Sequence, residues 1–338
     1  MILDRLIIGK NLTRTQSKLL FRKLLKSKID PEFGGQLLTF LQKKGENSEE
    51  LTGFINAVRS VEKPIRYSHA HLVDGCGTGG DAKHTFNIST LACLIASAAG
   101  AKVAKHGNRS VSSQCGSADL LEASGINIEA PKNKMLKSLK NCNFAYFHAP
   151  LYHPIFKSVQ PIRTELAKKR IKTIFNLSGP LLNPLRPKHQ LIGVWRKDLL
   201  DLIAQTAKKL KFKHVIVLWN TAGYDEITTG QATMILEVKN GKLKKHLFSI
   251  KNADLKKNSL SILKGGTVNK NKRIALRVLS GRDKSARFDV VILNAGMILY
   301  VCGKAKSLRE GIALAKKAVL SGKALQVLSQ ISRLSHGA

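Results

Sequence analysis

Acidic side chains are scarce in this chain of 338 residues: 22 Asp and Glu stand against 57 Lys and Arg, a formal net charge of +35. An excess of that size marks either affinity for polyanions or a solvated basic surface. Aromatic residues make up only 6% of the chain, so platforms for stacking nucleic-acid bases are few. The basic residues are also spread along the whole length instead of gathered in one tail. Nucleic-acid binding is therefore a second property to keep in view and not the favoured function. Cysteine is sparse as well. Cys76, Cys93, Cys115, Cys142 and Cys302 are scattered and never form a CxxC pair, which argues against a disulfide framework or a thiolate zinc centre and fits a reducing cytoplasm. Long apolar runs are missing: "LACLIASAAGA" at 91–101 falls well short of the roughly 18 residues of a membrane span. Asp4 interrupts the start and no cleavage site follows, so no secretory signal is expected and no membrane partner either.

What is present suffices for a folded core, with 43% of the residues apolar. Thr13 and Gln16 stand in capping-box spacing before Leu19, Leu20, Leu24 and Leu25, which predicts an amphipathic helix. In "NSEELTGFINAVRS", Asn47 or Ser48 caps a second one, with Leu51, Phe54, Ile55 and Val58 on a single face. Lys63-Pro64 breaks this helical pattern. Beyond it, the β-rich runs "CNFAYFH" and "HVIVLW" alternate with helical stretches, "KDLLDLIAQTAKKL" and then "SLREGIALAKKAVLSG" capped by Ser307 and Glu310. The alternation predicts an α/β sheet domain over 66–338 behind a helical domain over 1–65. The basic block 239–273, whose single acid is Asp254, reads as a loop or hairpin with a basic face.

Three clusters carry chemistry. "DGCGTGGDAKHTFNIST" at 74–90 packs Gly75, Gly77, Gly79 and Gly80 into seven residues ahead of a predicted helix from about Ser89. Bare N–H groups and a helix N-terminus form a nest for phosphate oxygens. A tight turn alone accounts for the glycines, but not for Asp81, Thr85, Asn87, Ser89 and Thr90 following so closely. "KHGNRSVSSQCGSADLLEASG" at 105–125 adds Lys105, Arg109 and several hydroxyls, a second anion cradle. Two cradles suggest a substrate with phosphates at two ends. Asp225 and Glu226 in "GYDEITTG" are either solvated turn acids or, facing a cradle, ligands for Mg²⁺, which takes one or two carboxylates together with substrate phosphates.

These segments, with "APLYHPIFKSVQPIR", "TIFNLSGPLLNP" and "LNAGMILYVCGKAKSLREG", occur in an order and spacing that resembles the anthranilate phosphoribosyltransferase family over nearly the whole chain. The resemblance implies an α/β fold in which a small N-terminal helical domain, joined by a segment near 160–185, is hinged to a larger domain with a central mixed sheet flanked by helices. It also implies a homodimer acting on anthranilate and phosphoribosyl pyrophosphate with Mg²⁺, two ions, as cofactor. Matched position by position, Gly77, Gly80, Asp81, Thr85, Asn87, Ile88, Ser89, Thr90, Lys105, His106, Gly107, Asn108, Arg109, Ser110, Val111, Ser112, Ser113 and Ser117 bind phosphoribosyl pyrophosphate. Gly77, Asn108 and Arg163 contact anthranilate, and Ser89, Asp225 and Glu226 hold metal. No acid or base is assigned; Lys105, Asp225 and Glu226 act electrostatically. His106, His148 and His153 lie near the motifs, where a packed or surface role is the plainer one. Two departures stand out: "RTELAKKRIKTIFN" is about three residues longer than the usual link after the arginine, which bears on the placing of Arg163, and Gln114-Cys115 replaces a Lys-Ser type pair. Pyrimidine nucleoside phosphorylases share this fold but call for a KxSxR pattern where this chain has "KHGNR".

Overall fold

The computed structural model describes residues 2–26, 29–110, 114–253 and 255–337. Four helices open the chain: α1 (Ile2–Ile7), α2 (Arg14–Leu25), α3 (Pro31–Lys44) and α4 (Ser48–Val61). Local chemistry sets their starts. Gln16 N–H donates to Thr13 Oγ1 (3.2 Å) while Thr13 N–H donates to Gln16 Oε1 (3.0 Å), the reciprocal box that the spacing predicts. Asn47 and Glu50 do the same for α4, and Asp30 caps α3 with Pro31 at its first position.

Among the described residues seven strands follow: β1 (Val73–Gly77), β2 (Val103–Gly107), β3 (Phe144–His148), β4 (His189–Gly193), β5 (His214–Asn220), β6 (Thr233–Lys239) and β7 (Lys242–Phe248). They form one sheet in the order β3-β2-β1-β4-β5-β6-β7. The first five run parallel and the last two antiparallel, so the sheet is mixed. Side chains alternate between its faces. In β5, Ile216 and Leu218 face a core shared with α5 (Ile88–Ala98) and the long helix Ala286–Val301, while Val215 and Val217 face helix Leu199–Lys209. That second core is continuous with the interior of the helical bundle. Phe21 and Phe54 meet edge to face there at 4.8 Å, and Phe54 meets Phe175, from helix Ile174–Ser178, at 5.1 Å.

The basic block differs in part from expectation. Its first third is the β6–β7 hairpin, turned by Asn240 and Gly241, both at positive φ. Its end, however, enters the helix Val268–Leu279, because Thr267 caps it and Ile274, Ala275, Val278 and Leu279 recur on one buried face. Asp254 lies outside the described residues. Among the described residues no helix is long and apolar enough to cross a membrane.

Candidate functional site

All five parallel strands point their C-terminal ends the same way. β1 and β4 are neighbours in the sheet, yet the chain leaves β1 towards β2 and leaves β4 towards β5, on opposite sides. At such a switch the connections diverge and leave a crevice beyond the strand ends. Both strands end on glycine there, Gly77 paired with Gly193. A side chain at Gly77 would collide with the Asp225 carboxylate, and one at Gly193 with the Asp225 main chain. Asp225 is thus seated in the notch, and only glycine leaves room for it.

The loop after β1 bends back over this notch through Gly79 and Gly80, both at positive φ (65° and 81°). Gly79 N–H donates to Asp225 Oδ2 at 3.2 Å, and Lys83 N–H donates to Asp81 Oδ1 at 3.1 Å. The loop therefore brings Asp81 to Asp225 and Glu226, with one oxygen of each lying within 4.8 Å of the others. No ion pair engages any of the three among the described residues. Asp81 Oδ2 and Glu226 Oε2 are shielded from solvent without a hydrogen-bond partner. Burial is the largest cause that raises all three carboxyl groups; repulsion from Asp81 adds to it at Asp225, pushed up to about 6, and repulsion from Asp225 and then Asp81 at Glu226, pushed well above the usual range. Orphaned hard oxygens, crowded together with like charge, fit a small divalent cation such as Mg²⁺.

Ser89 and Thr90 lie in the first turn of α5, which begins one residue before the predicted start. Asn87, the N-cap, makes no side-chain cap: its amide donates to Cys115 O (3.1 Å) and its oxygen accepts from Asn271 Nδ2 (3.0 Å). The helix start is left open to an anion. Ile88 is buried in the core, so it can offer only its main chain. Thr85 bridges to Lys264, and a pocket of about 260 Å³ beside it is lined by Thr85 from the first cradle and Gln114 and Cys115 from the second. The two cradles share a wall.

The second cradle is less uniformly open. Lys105 is only 1% exposed in β2, its Nζ donating to Gly75 O at 2.8 Å under the first loop. Burial holds His106 well below its ordinary pKa, as does, to a lesser extent, the His153 ring 5.1 Å away. Gly107 ends β2 beside Ser117, the first residue of α6 (Ser117–Ala123), whose hydroxyl donates to Asn108 O at 3.2 Å. Arg109 does not reach freely into the cleft: it pairs with Glu122 (2.7 Å) and Asp119 (3.0 Å) on α6. Ser110 N–H donates to the same Asp119 at 3.1 Å. Val111, Ser112 and Ser113 lie outside the described residues.

Arg163 lies on helix Gln160–Lys168, its guanidinium 5.4 Å from the ring centre of Phe175 and 5.9 Å from that of Phe156. Burial lowers its pKa, and no acid or hydrogen-bond acceptor engages it among the described residues. His153 Nδ1 lies 2.7 Å from Glu62 Oε1, while neither ring nitrogen of the buried His148 has a partner. Sequence reasoning placed Asp81 with the phosphate ligands and missed it as the third carboxylate. Its signal was its position: one of only 22 acids, directly after the glycines.

The chain is similar to known proteins over nearly its whole length. Residues 1–61 match a family model described as the glycosyl transferase family, helical bundle domain, and residues 69–325 match the a/b domain of the same family. Anthranilate phosphoribosyltransferase of Persephonella marina is 38% identical over 333 residues, covering 97% of this chain and 96% of the relative. The crystal structure of the Thermus thermophilus anthranilate phosphoribosyltransferase superposes with a TM-score of 0.92 at 35% identity, covering 99% of each chain. The Saccharomyces cerevisiae enzyme in complex with phosphoribosyl pyrophosphate and Mg gives 0.86 at 25% identity, covering 97% of this chain and 94% of that one. On matches of this length, the chain belongs to the anthranilate phosphoribosyltransferase family.

Proposed function

We propose that this chain transfers the phosphoribosyl group of phosphoribosyl pyrophosphate to the amine of anthranilate, giving N-(5-phosphoribosyl)anthranilate and pyrophosphate in tryptophan biosynthesis. The observation that carries the proposal is the cluster of Asp81, Asp225 and Glu226, unpaired in a chain so rich in base, beside the open start of α5.

Anthranilate's aromatic amine is neutral near pH 7 and brings its own lone pair, so no strong base is required. A buried, neutral His106 is consistent with that. The residues' task is to hold two reactants in line and to stabilise charge on departing pyrophosphate. Ser89, Asp225 and Glu226 would hold Mg²⁺, two ions, which supplies Lewis-acid neutralisation of the leaving group. N–H groups of the α5 start and of the loop after Gly79 would face the phosphates, with Gly80, Thr85, Asn87 and Thr90 alongside, while the Gly79 N–H stays on Asp225. Lys105 adds positive potential from beneath the sheet ends. At the second cradle the ligand set would be Arg109, Ser110, Val111, Ser112, Ser113 and Ser117, with Arg109 leaving its pairs on Glu122 and Asp119 to reach the phosphates. Arg163, a cation stacked on two rings without an anion, suits the flat carboxylate of anthranilate, with Gly77 and Asn108 as neighbours. Hinging of the helical domain 1–65, with the segment near 160–185 joined to it, against the rest of 66–338 would bring Arg163 to the phosphates. The working form is a cytoplasmic homodimer.

Loss of anthranilate fluorescence in the presence of phosphoribosyl pyrophosphate and Mg²⁺ tests the proposal, with adenine, uracil and nicotinate as competing acceptors. Turnover with anthranilate alone is expected. Preference for another acceptor would overturn it.

A further inference from the structure

Lys172 lies between helices Gln160–Lys168 and Ile174–Ser178, on the segment that carries Arg163. It is an exposed lysine, and such side chains ordinarily sample many rotamers in water. This one is fixed twice. Its Nζ donates to the Gly80 carbonyl at 2.9 Å and stands 4.3 Å from the ring centre of Trp195. Gly80 accommodates the approach, since a Cβ there would sit 2.7 Å from Nζ.

The other flank of the same loop has a matching contact. Lys83 lies 5.2 Å from the ring centre of Tyr224, the residue before Asp225, and its N–H fixes the Asp81 carboxylate. Trp195 follows Gly193 at the end of β4, so the two aromatic rings stand on the two chain segments that border the notch. The loop is strapped at one end by its own lysine and at the other by Lys172 from the helical segment. Between the straps are Gly80 and Asp81, and Asp81 must point at Asp225 and Glu226 for the three acids to converge. We propose that Lys172 is a positioning residue: by holding the Gly80 carbonyl it sets the peptide between Gly80 and Asp81, and so the carboxylate and the N–H groups that receive a metal-bound pyrophosphate.

This inference rests on the proposed function, because it assumes phosphoribosyl pyrophosphate at that loop. Two variants of the full chain test it, Lys172→Met, which keeps the stem and removes the donor and charge, and Lys172→Arg, which keeps both. Loss of a charge-assisted hydrogen bond that orders the loop should raise the KM for phosphoribosyl pyrophosphate and the half-saturating Mg²⁺ in Lys172→Met by about tenfold. The KM for anthranilate and the thermal midpoint should stay at wild-type values, and Lys172→Arg should recover most of the loss. An unchanged KM for phosphoribosyl pyrophosphate would overturn the assignment. So would an equal rise in both KM values with a lowered midpoint, which is what a general structural brace would give. Calorimetric titration with phosphoribosyl pyrophosphate and Mg²⁺ separates the two claims. Wild-type binding without transfer to anthranilate would defeat the proposed function while the Lys172→Met affinity still judges the strap. Equal affinities in an active enzyme would defeat the strap alone, and no wild-type binding would defeat both.

Discussion

Glu50 in the helical bundle is withdrawn from water and Asp225 at the sheet switch is half-buried, and their surroundings are opposite. Glu50 is fully buried and fully used: it accepts from Leu12 N (2.8 Å), Asn47 N (2.9 Å) and Lys44 Nζ (2.9 Å). Its neighbour Glu49 is bridged by Lys209 and Arg14, which hold its carboxyl below the usual range. Glu122 on α6 is likewise lowered by Arg109. Asp225 instead has Asp81 and Glu226 for company, one long hydrogen bond from Gly79, and a raised pKa. With 57 basic side chains available, paired acids are the easy outcome in this sequence. Lys83 and Lys105 act on this trio only from a distance, and no ion pair engages it among the described residues, which leaves room for a counter-charge from outside the chain.

The comparison can be broken from either side. The largest effect is expected from Asp225→Asn combined with Glu226→Gln, which keeps size but removes the charge proposed to hold the metal. Turnover should fall by about a thousandfold, the scale on which electrostatic stabilisation of a transition state acts, and part should return as Mg²⁺ is raised. Folding should not suffer. A carboxyl whose pKa is raised by folding costs stability whenever it is ionised above that pKa, so at neutral pH its removal leaves the thermal midpoint unchanged or higher. Normal turnover with an unaltered Mg²⁺ requirement would sink the metal assignment.

Glu50→Gln should do the reverse. It removes the anion paired with the Lys44 ammonium, whose side chain is 6% exposed and keeps only the neutral acceptors Asn11 Oδ1 and Gly45 O, and breaking a buried pair from one side costs on the order of 3 kcal/mol. Urea unfolding should show the midpoint moving down with the slope unchanged, while turnover per folded molecule stays at the wild-type level. Lost activity at full stability would mean that the bundle does more than support the site.

The caps and strands of this fold are legible because they are local. Thr13 with Gln16, Asn47 with Glu50 and Ser307 with Glu310 each announce a helix within four residues, and "HVIVLW" holds its alternation within one strand. The end of the basic block does not announce its helix because its lysines hide the periodic Ile274, Ala275, Val278 and Leu279. At the site, glycines and the Asp225-Glu226 pair stand out as motifs, but convergence does not. Asp81 meets Asp225 only because β1 and β4 are adjacent, a pairing between residues more than a hundred positions apart. The contact of Lys172 with Gly80 is invisible for the same reason: a lysine in a lysine-rich link carries no signal until the fold brings it to a carbonyl.

Whether the unpaired acids await a metal that carries the substrate is tested most directly by calorimetric titration of phosphoribosyl pyrophosphate into the wild-type protein, with Mg²⁺ and with a chelator in its place. Three carboxylates repel a free pyrophosphate, so binding should be tight with Mg²⁺ and weaker by about a hundredfold or more without it. Equal affinity under both conditions would contradict the account, because the acids would then be bystanders to the substrate they face.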